Sequence, residues 1–126
     1  MPEMKTAATE VSAIQSWHAH VYYTADTKAV ALQLREWVGA RFPAALLGRW
    51  HDNKIGPHPV SMYQIAFPVA AFPTLVPFIA MNRMGLTVLV HPESGRPKDD
   101  HLHNSFWMGE VLTVDASMLP EEEHAH

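Results

Sequence analysis

Apolar and polar residues alternate along Trp17-His18-Ala19-His20-Val21-Tyr22-Tyr23, and a period of two is the signature of a half-buried strand. Trp17, Ala19, Val21 and Tyr23 fall on one face, and His18, His20 and Tyr22 on the other. The period then changes. Val30, Leu34, Trp37 and Val38 recur at helical spacing, which predicts a helix from a cap at Asp26 to about Phe42, closed by Pro43. Ala45 to Trp50 reads as a second strand with Gly48 as a bulge, and Val60 to Phe67 as a third. The segment between them, His51-Asp52-Asn53-Lys54-Ile55-Gly56-Pro57, has turn chemistry.

Prolines introduce a second, shorter helix, with Thr74 as its cap, Pro77 in its first turn and Gly85 beyond its end. The β-branched run Leu86-Thr87-Val88-Leu89-Val90 predicts a buried strand, and His91-Pro92-Glu93-Ser94-Gly95-Arg96-Pro97 a turn-rich loop after it. The order βαββαβ predicts an α+β, ferredoxin-like fold, one antiparallel sheet with two helices on a single face. Residues 91–119 form a C-terminal extension, in which Asn104 to Val114 supply a strand or two interrupted at Gly109. No repeat or linker divides the chain, which reads as one domain with a core over about 16–115 and flexible tails at 1–12 and 119–126.

Composition narrows the chemistry. The 126 residues carry 9 Lys+Arg against 13 Asp+Glu, a net charge of -4, so the basic patch of a nucleic-acid binder is not expected. The absence of cysteine excludes disulfides, thiolate metal sites and thiol nucleophiles. The apolar stretch from Ile65 to Met81 is broken by three prolines and is too short for a membrane span, and no secretory leader precedes the first strand, so a cytoplasmic protein is expected. Phosphate loops, nucleophile elbows and zinc-protease helices do not occur.

Histidine is the unusual residue. There are 9, as many as all lysines and arginines together, and seven lie between positions 18 and 103. His18 and His20 stand about 7 Å apart on the uncovered face of the first strand. His58 precedes the third strand between Pro57 and Pro59, which restrict its backbone. His91 ends the last core strand, and a ferredoxin-like sheet sets the first strand between the third and the last. His101 and His103 repeat the i, i+2 spacing. Several segments thus supply imidazoles that the topology can gather, as iron, zinc, copper or nickel would require and calcium or magnesium would not. Spacing alone leaves open a metal site, an acid–base site, or solvated turn histidines. His51 reads as a turn residue, and His124 and His126 as part of a solvated tail. Glu93 and Asp100 either complete a set of two histidines and a carboxylate or orient a ligand. Arg49 can fork a carboxylate or form a surface ion pair, and Tyr22 and Trp107 line a pocket or pack in the core.

Trp17-His18-Ala19-His20-Val21-Tyr22-Tyr23, Gly56-Pro57-His58-Pro59 with Ser61-Met62-Tyr63, and Val88-Leu89-Val90-His91-Pro92-Glu93-Ser94-Gly95, continued by Asp100-His101 and Trp107-Met108-Gly109, together resemble the DOPA 4,5-dioxygenase family. The resemblance runs over roughly residues 16–112. It implies a ferredoxin-like fold and cleavage of a catechol ring beside the diol with non-haem ferrous iron and dioxygen. The matched positions are His18, His20, His58, His91 and His101; Glu93-Ser94 departs from the Asn-Thr usual there. The expectation is an extradiol-type dioxygenase with His20, His58 and His91 as metal ligands and His18 as the alternative on the first strand. His101, with His18, would serve catalysis, and Arg49, Tyr22 and His103 would bind substrate. Fe(II) is the implied metal and O2 the co-substrate, with zinc or nickel conceivable in purified material. The alternatives are a non-catalytic metal- or small-molecule-binding module of the same fold, and a cofactor-free or haem-linked monooxygenase. Leu89 and Met62, on a face expected to be open, suggest a homodimer.

Overall fold

A computed structural model describes residues 4–53, 56, 58 and 60–122. The turn at 54–57, both prolines beside His58, and the histidines of the C-terminal tail lie wholly or partly outside the described residues. Five strands form one antiparallel sheet in the order β2-β3-β1-β4-β5, with β1 Ser16–Tyr22, β2 Leu46–Leu47, β3 Met62–Pro68, β4 Val88–Glu93 and β5 Phe106–Met108. Helices α1 (Lys28–Arg41), α2 (Phe72–Asn82) and α3 (Pro97–Leu102) complete it. The first four strands and two helices follow the ferredoxin-like order, with β1 between β3 and β4. A fifth strand continues the sheet beyond β4.

The alternation along β1 sorts its side chains as the sequence requires. Ala19, Val21 and Tyr23 join Ala31, Leu34 and Val38 of α1 and Leu75, Val76 and Ile79 of α2 in the main core. The predicted α1 stripe holds at Leu34 and Val38, while Ala31 takes a fully buried place and Trp37 only a half-buried one. Helix α1 starts at Lys28 without a side-chain cap. Asp26 lies in the preceding turn, and Thr27 Oγ1 accepts from Thr24 N at 2.8 Å.

Several boundaries differ from expectation for local reasons. Only Leu46 and Leu47 form β2; then Arg49 and Trp50 together stand opposite Tyr63, because Gly48 N bonds Gln64 O and His51 bridges Met62. The bulge therefore follows Gly48, whose missing Cβ would lie 3.3 Å from Gln64 O. In α2, Pro77 is inside the helix, not in its first turn. It is exposed, as is Pro73 one turn earlier, so the lost hydrogen bond faces solvent. Thr74 donates to Ala71 O at 3.2 Å and caps nothing.

Strand β4 runs through Pro92 to Glu93, where a loop was expected. The register explains this. Tyr22 N bonds Thr87 O, so the odd-numbered residues of β4 turn their backbone groups to β1. Pro92 turns its nitrogen to the other side, where β5 has already ended opposite Val90.

The second face of the sheet is covered by the chain itself. Tyr22, Met62 and Leu89 form a smaller core under Val60, Trp107, Leu112 and Val114. Leu89 is fully buried and Met62 nearly so, which removes the exposed-face argument for a homodimer. Pro120 and Glu122, expected in a flexible tail, are tied to α3: Lys98 N bonds Pro120 O, and Arg96 pairs with Glu122 at 2.8 Å.

Candidate metal centre

Four separate segments bring five imidazoles together. His18 and His20 lie on β1, and the register sets His91 of β4 directly opposite His18 on the same face. His58 arrives from the loop before β3, and His101 from α3. Ring centroids are 4.1 Å apart for His20 and His58, 5.0 Å for His20 and His91, 3.9 Å for His91 and His101, and 5.2 Å for His18 and His91. His20, His58 and His91 are buried, while His18 and His101 are half-buried at the rim. Solvent therefore meets the group from the side of His18 and His101.

Hydrogen bonds decide which nitrogens are available. A carbonyl can only accept, so the contact of His91 Nδ1 with Pro92 O at 3.0 Å fixes the proton on Nδ1 and leaves a lone pair on Nε2. His101 is fixed the same way, Nδ1 donating to Pro97 O at 2.8 Å. His58 differs: its Nδ1 lies 2.6 Å from the Tyr22 hydroxyl, which both donates and accepts. His58 can therefore exchange tautomers without losing its partner.

His20 carries the unresolved polarity. Its Nε2–H donates to the His91 Nε2 lone pair at 2.9 Å, a proton that a bound ion would replace. Its Nδ1 is buried without a hydrogen-bond partner among the described residues. Two nitrogens bound at ~2.1 Å to one ion, at a right angle, stand about 3 Å apart. The His20–His91 spacing suits a shared cation, and a donor set made of neutral imidazole nitrogens suits a divalent transition metal.

The imidazoles are held neutral. Burial lowers His18 to about 4, helped by His101, and lowers His58 to about 4, helped by His101 and His51. His91 falls to about 3, by burial and then by His101, against the opposing bond to Pro92. Burial also lowers His20 strongly, with its four neighbouring imidazoles adding to the effect, and lowers His101. At neutral pH all five are unprotonated, the state a metal requires.

Two trios bring one ring nitrogen apiece within 4.8 Å of one another: His18, His20, His91 and His20, His58, His101. The trio expected from the sequence, His20, His58 and His91, is split between them, with His20 in both. The substrate-binding expectations fare differently. Tyr22 is buried, stacks on Trp107 at 5.8 Å and holds His58. His103 is exposed and pairs with Asp99 at 3.1 Å, because the end of α3 turns it outward. Arg49 is exposed in the bulge, with β3 between its edge strand and the histidine strand.

Two carboxylates of the region have definite partners. Asp100, nearly fully buried, accepts from Ser94 N at 2.8 Å, Ser94 Oγ at 2.7 Å and Asn104 Nδ2 at 3.1 Å. It ties the end of β4 to α3 and so presents His101. The sequence reading missed α3, although Pro97 at its start, Asp99 and Asp100 in its first turn and His101 in its last were legible signals. Glu93 Oε1 lies 3.2 Å from His18 Nδ1 and 3.6 Å from His91 Nδ1.

Comparison with known proteins gives a consistent set of relatives. The Dopa 4,5-dioxygenase family model matches residues 17–118. A DOPA 4,5-dioxygenase from Amanita muscaria is 32% identical over 94% of this chain and 56% of its own length, so the chain spans about half of that relative. An uncharacterized 21.2 kDa protein of Botryotinia fuckeliana is 34% identical over 88% of this chain and 68% of its own length. A crystal structure from Nostoc punctiforme, provisionally described as a dioxygenase, superposes with a TM-score of 0.84 at 45% identity, covering 86% of this chain and 93% of that one.

Proposed function

We propose that this chain, which belongs to the Dopa 4,5-dioxygenase family, is an extradiol-type ring-cleaving dioxygenase that acts on a catechol with ferrous iron and dioxygen. The observation that carries this reading is the His20–His91 nitrogen pair at 2.9 Å within a cluster of neutral imidazoles. His18, His20 and His91 would hold the ion, because that trio contains the pair. His58 and His101 remain to handle protons. This assignment replaces His58 by His18 in the ligand set expected from the sequence.

Ferrous iron there would supply the electronic coupling that lets triplet dioxygen react with a diol. The protein's part is proton management and access. A catechol must lose its hydroxyl protons as it binds and regain one as its ring opens. His101 has its Nδ1 committed to Pro97 O, so Nε2 is the atom that accepts. With its Nδ1–H donating to the Tyr22 hydroxyl oxygen, His58 can take a proton at Nε2 as an imidazolium and return it from there to an oxygen of the product. The half-buried rim at His18 and His101 is the side from which a flat diol would approach, while the packing of Tyr22, Leu89 and Trp107 closes the other side to bulk water.

Iron-loaded protein prepared without oxygen, mixed with a series of catechols and then with air, tests this. One dioxygen consumed per catechol, with a yellow ring-opened semialdehyde, is expected. Bound iron without oxygen uptake on any catechol, while a known ring-cleaving enzyme works in parallel, contradicts it.

A further inference from the structure

We propose that Glu93 is a positioning residue that fixes the tautomer of His18 and lends negative charge to the metal seat; this rests on reading His18, His20 and His91 as that seat. Three observations place it there. Glu93 is two residues beyond His91 on β4, so both side chains rise from the same face of the sheet. Its strand partner is Ser16, and His18 is opposite His91, so the carboxylate lies diagonally beside His18. The backbone is pinned at that point by Gln15 N donating to Glu93 O at 2.8 Å.

Oε1 then stands 3.2 Å from His18 Nδ1 and 3.6 Å from His91 Nδ1. At ion-pair distance a carboxylate attracts an N–H and repels a ring lone pair, so it favours the proton of His18 on Nδ1 and leaves Nε2 free to bind a metal. His91 already has Pro92 O as its main acceptor, and Glu93 adds charge behind the same nitrogen. His18 has a more exposed ring than His91 and, among the described residues, no carbonyl partner such as His91 and His101 possess. Its tautomer therefore depends on Glu93. An acceptor behind a ligating imidazole raises its basicity, and loss of such a partner costs about 10–100-fold in metal affinity.

The test uses two measurements on the wild type, Glu93→Gln, Glu93→Ala and His18→Ala. Imidazole 15N NMR of the metal-free proteins reads the tautomers, and titration of zinc against a chromophoric chelator reads affinity. Expected are an Nδ1–H tautomer for His18 in the wild type, a shift to Nε2–H in Glu93→Ala, and zinc binding weakened about 10–100-fold. Glu93→Gln, whose side-chain oxygen still accepts, should keep the tautomer and recover part of the affinity; this variant carries the test should the alanine protein not fold. An Nε2–H tautomer for His18 in the wild type, or no change of tautomer and affinity in either Glu93 variant, overturns the role of Glu93. His18→Ala separates the two readings. If it binds zinc as the wild type does, the seat is misassigned; if it loses zinc while the Glu93 variants do not, the seat stands and Glu93 plays no part.

Discussion

His20 is the residue on which the site turns. It belongs to both trios, touches His91 through Nε2, and leaves Nδ1 buried without a partner among the described residues. His20→Ala should weaken metal binding by more than the roughly 100-fold upper range for losing an outer partner, as read by chelator competition. Unchanged affinity would remove His20 from the seat. Tyr22→Phe should act differently. It removes only the hydroxyl that bonds His58, so metal affinity should hold while turnover falls about tenfold or more. Equal losses of both would place His58 on the metal. At this scale the sequence is a good guide to residues carried by strands, since the alternation of β1 already separates His18 and His20 from the core. It says little about side-chain pairing. The Tyr22–His58 bond joins positions far apart in the chain, and no local pattern encodes it. Arg49 and His103 were expected at the substrate from residue type alone, and type says nothing about which way a bulge or a helix end turns a side chain.

At the scale of elements, strands and the two long helices follow from hydrophobic period, and the exceptions come from proline and shortness. Pro92 reads as a strand breaker, yet β4 passes through it because the neighbouring strand has ended. Helix α3, at six residues, is too short for a periodic signal and is held by Asp100 instead. Asp100→Ala leaves Ser94 N, Ser94 Oγ and Asn104 Nδ2 without their acceptor. A loss of about 1–3 kcal/mol in urea unfolding is expected, together with weaker protection of α3 amides in hydrogen exchange. Wild-type stability in this variant would mean that the β4–α3 junction is held by other contacts. Gly109 tests the end of β5. It has φ 85, and an added Cβ would meet Arg83 Nη1 at 3.1 Å and Thr87 Oγ1 at 3.3 Å, so Gly109→Ala should lower the melting temperature.

Over the whole molecule, the cost of the site appears as pH dependence. His18 and His58 titrate near 4 and His91 near 3 in the folded chain, against about 6.5 in the unfolded one. The unfolded chain therefore binds more protons below 6.5. Stability of the metal-free protein should be full above that pH and should fall between pH 6.5 and 5, where carboxylates remain ionised, each imidazole adding at most about 1.4 kcal/mol per pH unit. A urea midpoint that stays level or rises over that interval would contradict the burial of these rings. The general plan of the molecule was legible from the βαββαβ order. The covering of its second face was not, because Leu112 and Val114 lie in a segment without regular structure and show no period. Whether imidazoles from distant stretches of chain surround one ion is read by anomalous diffraction at the metal edge on crystals of iron- or cobalt-loaded protein. A single strong peak is expected at bonding distance, about 2.1 Å, from ring nitrogens of His18, His20 and His91. A fully loaded crystal whose peak lies away from His20, or among surface carboxylates, would contradict it.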